Sequence, residues 1–256
     1  APDRASLAGI RTIATPAACR PRLRSLGPVL LASALLAGAA PVWAEEIKNS
    51  ACLDCHGDKD MALSRTNANG EVTLLLLNVA ALKASVHATN SCVSCHADLT
   101  SKHPDDNVPT KTPTCTSCHP GLPGHQQAEQ DYTTSVHGSS HTQGSLGAAT
   151  CANCHGSHDI VSVTNHQSRV FKLNLPATCG QCHTNDALSA QYRINKPQAA
   201  SHYLDSMHGQ ALLKQGLIVA PSCCDCHGVH DIKAATVPTS PINRLNVAKT
   251  CGKCHV

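Results

Sequence analysis

The strongest apolar pattern lies near the start of the chain. Leu26 to Ala44 run without a charge and are rich in leucine and alanine, directly after Arg20, Arg22 and Arg24. A basic flank, an apolar stretch and the small cleavage-type residues of Val42-Trp43-Ala44 predict a secretory leader over residues 1–44, with the exported chain starting near Glu45. An uncleaved membrane anchor competes with that reading, because the uncharged run approaches the roughly 17 to 20 residues that a span needs. Pro28, Pro41 and the many alanines favour cleavage. Downstream the periodicity is faint. Val72 to Leu77 is an apolar run compatible with a strand, and Val79 to Ser85 predicts a helix leading into His87. Pro104, Pro109, Pro113, Pro120 and Pro123 predict that 103–125 is mostly loop.

Composition makes the faint pattern a physical problem. Removing 44 of the 256 residues leaves 212, with one Phe, three Tyr and no Trp. Such a chain cannot offset its conformational entropy by ordinary side-chain burial. Another material must fill the interior, and the cysteines say which. Of 16 cysteines, 14 fall into seven copies of Cys-x-x-Cys-His. These are Cys52/Cys55/His56, Cys92/Cys95/His96, Cys115/Cys118/His119, Cys151/Cys154/His155, Cys179/Cys182/His183, Cys223/Cys226/His227 and Cys251/Cys254/His255. The pattern reads as covalent attachment of c-type haem. Two thiols reach the two vinyl groups on one porphyrin edge, and the adjacent histidine turns inward to the iron as proximal ligand.

Zinc ribbons also use Cys-x-x-Cys pairs, but they do not require a histidine after each one. A disulfide framework suits an exported protein, yet imposes neither the repeated gap nor the histidine. Seven haems on 212 residues leave about 30 residues each, so the predicted fold is mainly α and irregular, haem-cored, with few short helices and little sheet. Leu74 to Leu77 serves equally well as filler over a porphyrin. Without haem the polypeptide should be unfolded.

The formal charge of +3 loses five arginines and Asp3 with the leader, leaving 15 basic and 16 acidic residues. About 14 haem propionates then make the loaded protein acidic. No basic patch with interleaved aromatics is present, so nucleic-acid binding has no support.

An internal repeat organises the second half. Residues 135–183 run Ser-Val-His-Gly, Cys-Ala-Asn-Cys-His-Gly-Ser-His-Asp-Ile, Asn174 and Cys-Gly-Gln-Cys-His. Residues 206–255 run Ser-Met-His-Gly, Cys-Cys-Asp-Cys-His-Gly-Val-His-Asp-Ile, Asn246 and Cys-Gly-Lys-Cys-His, mostly offset by 72. A more divergent version precedes them. Three lobes are expected: 45–126 with three haems, 127–200 with two and 201–256 with two.

Ten of the 17 histidines lie outside the motifs. His137 and His208 match each other and resemble His87; His158 and His230 match in the Gly-x-His-Asp setting; His103 and His125 flank the third motif. These seven are the candidate distal ligands. His158 and His230 stand three residues after a proximal histidine, so neither can reach the far face of its own haem, and each must serve a neighbour. Lys59 occupies that place after the first motif. His141, His166 and His202 read as surface histidines, Met61 and Met207 as packing residues, and Cys224 as a spare thiol, while Cys19 falls in the leader. With two histidines on each iron, carriage of electrons is expected rather than transformation of a bound molecule.

Ala84-Ser85-Val86-His87 followed by Cys-Val-Ser-Cys-His-Ala-Asp at 92–98, together with the two Cys-His-Gly-x-His-Asp-Ile units, resemble the periplasmic multihaem cytochromes c of anaerobic respiration. The paired motifs are of the cytochrome c3 and c7 type, and the sequence is similar to seven-haem subunits that accompany membrane cytochrome b in quinone-linked complexes. The resemblance implies redox partners: a quinol-oxidising cytochrome b complex, and a downstream reductase or extracellular acceptor. Relatives often continue past the last motif, sometimes into a membrane helix; this sequence stops at Val256, which leaves a soluble carrier or an anchor beyond the sequence given. Two other functions stay open: a reductase of nitrite, hydroxylamine or a sulfur oxyanion with one open haem, and a homo-oligomeric subunit of a conductive extracellular filament. The catalytic variant Cys-x-x-Cys-Lys does not occur.

Overall fold

A computed structural model describes residues 47–256, apart from 62, 67–71, 107, 109, 122–125, 146 and 256. The expected leader over 1–44 lies outside the described residues, and Glu45–Val256 form one unit. The fold is mainly helical and irregular. Twelve α-helices are described, none longer than nine residues: α1 Asn49–His56, α2 Val79–Ala84, α3 Cys92–Cys95, α4 Gln126–Thr134, α5 Val136–Thr142, α6 Cys151–His155, α7 Leu175–His183, α8 Asp186–Gln191, α9 Ala199–Asp205, α10 Met207–Leu213, α11 Cys223–His227 and α12 Val247–Cys251. Helices this short are unstable alone in water and depend on what they pack against. No helix among the described residues is long and apolar enough to cross a membrane.

The only described sheet is an antiparallel pair, β1 Ser64–Thr66 with β2 Val72–Leu74, in the register Ser64 opposite Leu74. The strand expected over Val72 to Leu77 therefore ends early. Leu77 turns back to donate its N–H to the His56 carbonyl at 2.7 Å, which takes it out of any ladder. The helix before His87 forms as α2, because the Asn78 side chain accepts from the Ala81 N–H at 3.0 Å and starts it. Among the described residues of 103–121 the regular elements are two 3-10 turns, Cys115–Ser117 and His119–Gly121.

Ordinary apolar packing is nearly absent. Among the described residues the buried apolar side chains are Ala200, Leu212 and Ala220, against seven buried polar ones, six of them serine. Fully burying one leucine-sized side chain stabilises by about 1.5–3 kcal/mol, whereas ordering each residue costs about 1–2 kcal/mol of backbone entropy. Three such side chains cannot hold a chain of this length.

Local hydrogen bonding follows the repeat. Tyr132 donates its O–H to the Ala149 carbonyl at 3.0 Å, and Tyr203 does the same to Pro221 at 2.8 Å. Asn174 ties down the His166 and Ser168 carbonyls, and Asn246 those of Pro238 and Ser240. Thr178 and Thr250 donate to the Arg169 and Pro241 carbonyls. Ser135 and Ser206 accept from the Gly138 and Gly209 N–H groups at 3.1 Å in both units. A Cβ on Gly138 or Gly209 would collide with the Tyr132 or Tyr203 carbonyl oxygen, so glycine is demanded by close approach. Packing of α7 on α9 and α11 joins the units.

Candidate functional site

Six of the seven motifs begin on a helix or within its last turns, and the third opens on the 3-10 turn at Cys115. In a helical turn, side chains at positions i and i+3 share a face, so each motif presents its two thiols together with histidine directly after them. In α6 and α11 a capping box fixes the first turn: Thr150 with Asn153, and Ser222 with Asp225. Gly156 and Gly228 then end these helices at φ of 91° and 85°, values that favour glycine, and turn the chain toward the His-Asp-Ile segments. The first thiols of successive motifs meet: Cys52 with Cys92, Cys115 with Cys151, and Cys179 with Cys223 share side-chain hydrogen bonds.

Exposure does not divide first thiols from second: Cys115 and Cys251 are exposed, and so is Cys95, whereas Cys154 and Cys226 are half-buried. Cys55, Cys118 and Cys254 are exposed, and Cys182 is half-buried at the end of α7. Their exposure matches the rest of the fold, whose described buried apolar side chains are only Ala200, Leu212 and Ala220. The turn that pairs each with its motif partner is nevertheless kept outside the regular helices: the Cys118 N–H donates to the Cys115 carbonyl at 3.3 Å, and the Cys254 N–H to that of Cys251 at 3.1 Å. Cys55 and Cys182 hold the same spacing within α1 and α7. None of the fifteen described cysteines is in a disulfide. Among the described residues no group of three or more His, Cys, Asp or Glu is gathered to hold a metal ion.

The histidines are arranged in pairs, each of one motif histidine and one non-motif histidine. His87 faces His119 with ring centroids 6.0 Å apart; His96 faces His158 at 6.2 Å; His137 faces His183 at 6.3 Å; His155 faces His230 at 6.1 Å; and His208 faces His255 at 6.0 Å. Two metal–nitrogen bonds of about 2 Å, plus about 1.1 Å from each nitrogen to its ring centre, place two imidazoles across one metal ion about 6.3 Å apart. The residues thus fit haem iron: vinyl-reactive thiols flank one imidazole, and a second stands at the opposing distance. Desolvation pushes His96, His137, His155, His183 and His227 down from the ordinary histidine value, favouring the neutral imidazole that binds metals. His56 lies 3.0 Å through Nδ1 from the Leu75 carbonyl oxygen, which holds a proton on Nδ1 and leaves Nε2 for a metal.

Other candidates are placed differently. His56 and His227 face no histidine ring among the described residues, nor does His103. His125 lies outside the described residues. His141, His166 and His202 are exposed. Met61 and Met207, expected to pack, are instead 48% and 82% exposed, because no apolar interior reaches them. Burial pushes the Cys224 thiol up to about 11. It borders a surface hollow with Val163, Phe171 and Asp225.

Two backbone bonds tie the pairs together, and motif reading could not have found them. Val86 donates its N–H to the Ile160 carbonyl at 2.8 Å, and Val136 donates to Ile232 at 2.8 Å. The residue before the first histidine of one unit thus pairs with the end of the His-Asp-Ile segment of the next. The signal was present as two recurring strings, Ser-Val-His and His-Asp-Ile, without any hint that they meet.

Residues 84–184 match the family described as Cytochrome c3. The chain is also similar to the multiheme cytochrome MtrA of Shewanella baltica, at 24% identity over 177 residues, covering 64% of this chain and 41% of that protein. It therefore spans well under half the length of that relative. No solved structure matches. With opposed imidazoles recurring at metal-bridging distance beside paired thiols, both likenesses support a multihaem cytochrome c family for this chain.

Proposed function

We propose that the chain carries seven haems, one per motif, and passes electrons along them in an anaerobic respiratory route outside the cytoplasm. The observation that carries this reading is the fivefold recurrence of a motif histidine opposite a non-motif histidine at 6.0–6.3 Å. When bound, haem supplies a one-electron iron couple at each position. The motif thiols, the exposed Cys55, Cys118 and Cys254 included, would hold each haem through thioether bonds to its vinyl groups, an addition with no leaving group. His87, His137, His158, His208 and His230 would supply the second imidazole at five sites and so keep water and substrate from them.

Residues 45–126, 127–200 and 201–256 then form groups of three, two and two haems. The leader over 1–44 directs export to the periplasm or beyond. Partners are redox proteins, with a membrane quinol-oxidising cytochrome b complex as donor and a reductase or extracellular acceptor downstream; the likeness to a multiheme cytochrome supports this. Intact mass spectrometry of the exported protein tests the reading. A chain starting near Glu45 with seven haem masses is expected, and fewer haems on folded protein would overturn it.

A reductase reading has one observation in its favour: His56 faces no imidazole among the described residues. Consumption of nitrite or hydroxylamine by the chemically reduced protein would select it over carriage.

A further inference from the structure

The facing imidazoles fall into two geometric groups, and these follow the two kinds of non-motif histidine. Where the second histidine comes from a Gly-x-His-Asp-Ile segment, the ring planes lie near parallel: 18° for His96 and His158, 24° for His155 and His230. Where it comes from a Ser-x-His segment the planes are tilted, by 85° for His87 and His119, 65° for His137 and His183, and 44° for His208 and His255. The first group has an aspartate directly after the histidine. Asp159 folds back over Gly156, and Asp231 over Gly228, into the space that a Cβ on either glycine would need. Asp159 Oδ1 accepts from the Ser157 N–H at 3.1 Å. Its Oδ2 accepts from Nη2 of Arg169 at 2.8 Å, and the Arg169 carbonyl accepts in turn from Thr178, the residue before Cys179. On the other side the Ile160 carbonyl is tied to the Val86 N–H at 2.8 Å. His158 is thus secured through its neighbours in both directions along the chain. In the next unit the Ile232 carbonyl is tied to the Val136 N–H at 2.8 Å, and Asp231 Oδ2 lies 3.7 Å from Nζ of Lys233, with Pro241 in the place of Arg169. His137 and His208 are held by another device, in the first turns of α5 and α10, which Ser135 and Ser206 cap.

We propose that Asp159 and Asp231 are positioning residues, each holding the histidine before it so that the imidazole lies near parallel to the motif histidine opposite. The sites of the second and fourth motifs are thereby set apart from those of the third, fifth and seventh. Neither aspartate touches an iron; each acts through its histidine. When haem is bound, the angle between the two imidazole planes sets how the iron orbitals split, and with it the paramagnetic spectrum and the potential. The chain then holds two kinds of bis-histidine site, interleaved along its length, and the aspartates decide which sites belong to the first kind. This rests on the haem reading above.

Low-temperature electron paramagnetic resonance of the oxidised, haem-loaded chain is the test. Near-parallel imidazoles give rhombic low-spin signals, and strongly tilted ones give signals dominated by a single large g value, so at least two haems' worth of the rhombic kind is expected. Asp159→Ala should keep the full haem mass and remove one haem's worth of rhombic signal, which reappears at a shifted g value; a potentiometric titration should show one midpoint moving with it. Asp159→Asn still offers an oxygen to the Ser157 N–H and should keep the rhombic signal. Asp231→Ala and Asp231→Asn put the same question to the His155 site, independently of how the Asp159 variants assemble. Fewer than two rhombic haems in the unaltered protein would overturn the inference, as would unmoved spectra in both alanine variants, or asparagine variants as altered as the alanine ones. So would loss of haem mass in both alanine variants, which would mark the aspartates as supports of the fold alone. Failure of the haem reading itself would show differently, as missing haem mass in the unaltered protein.

Discussion

The imidazoles of His155 and His230 face each other with centroids 6.1 Å apart and ring planes within 24°, although they belong to different repeats. His155 follows the fourth pair of motif cysteines, and His230 comes three residues after the sixth motif histidine. The pair is thereby made between units rather than within one.

Replacing His230 by alanine should move one haem from low-spin to high-spin ferric iron while the total haem mass stays the same. His202→Ala, at an exposed position with no facing ring, should leave the spectrum unchanged. Electron paramagnetic resonance on both variants checks this; an unchanged low-spin spectrum for His230→Ala would remove that residue from the ligand set.

The close approach at Gly209 gives a second expectation. A methyl group there drives into the Tyr203 carbonyl oxygen, and the same holds at Gly138 with Tyr132. Overpacking of this kind typically costs about 1–3 kcal/mol. Gly209→Ala should lower the denaturant midpoint of the loaded protein, whereas Gly216→Ala meets open space and acts only through its positive φ of 70°, costing about 1–2 kcal/mol. Chemical denaturation followed by circular dichroism ranks the two.

Tyr203 links stability to alkaline pH. Desolvation pushes its hydroxyl up from 10.0 to about 12, and it donates to the Pro221 carbonyl at 2.8 Å. The unfolded chain therefore loses this proton first as pH rises. The stabilisation is whole below pH 10 and is lost progressively as pH climbs toward about 12. Tyr203→Phe should cost about 1 kcal/mol at neutral pH through the lost hydrogen bond and should flatten this alkaline decline. Denaturation midpoints at pH 8 and pH 11 for both proteins decide it.

Haem attachment and folding should be one event. With Ala200, Leu212 and Ala220 as its described buried apolar side chains, the chain made without haem should show no cooperative thermal transition and little helical circular dichroism. A well-ordered colourless product would contradict this.

Much of this was legible in the residues because the chemistry needs fixed spacings. Cys151, Cys154 and His155 announce an attachment site wherever they occur, and the match between 135–183 and 206–255 needs no coordinates. The scarcity of aromatic residues agrees with the few buried apolar side chains described, Ala200, Leu212 and Ala220. Other features depend on contacts remote in sequence. Spacing treats the two thiols of a motif alike, yet Cys115 lies beside Cys151 of the next motif. The spacing of His158 excludes its own motif, but its position opposite His96 follows from the Val86–Ile160 backbone bond, which no local pattern encodes. Ser64–Thr66 is polar and exposed on both faces, and becomes a strand because β2 lies beside it. Helix α4, Gln126–Thr134, has no apolar stripe to betray it.

The overlap of units, in which segment 230–232 reaches back over Val136 and His155, gives the array a direction, as shingles have on a roof. Cutting away the last course would damage the one beneath it, and laying another would cost the existing courses nothing. Such a chain can lengthen by duplication at its trailing edge, without redesign of the part already built.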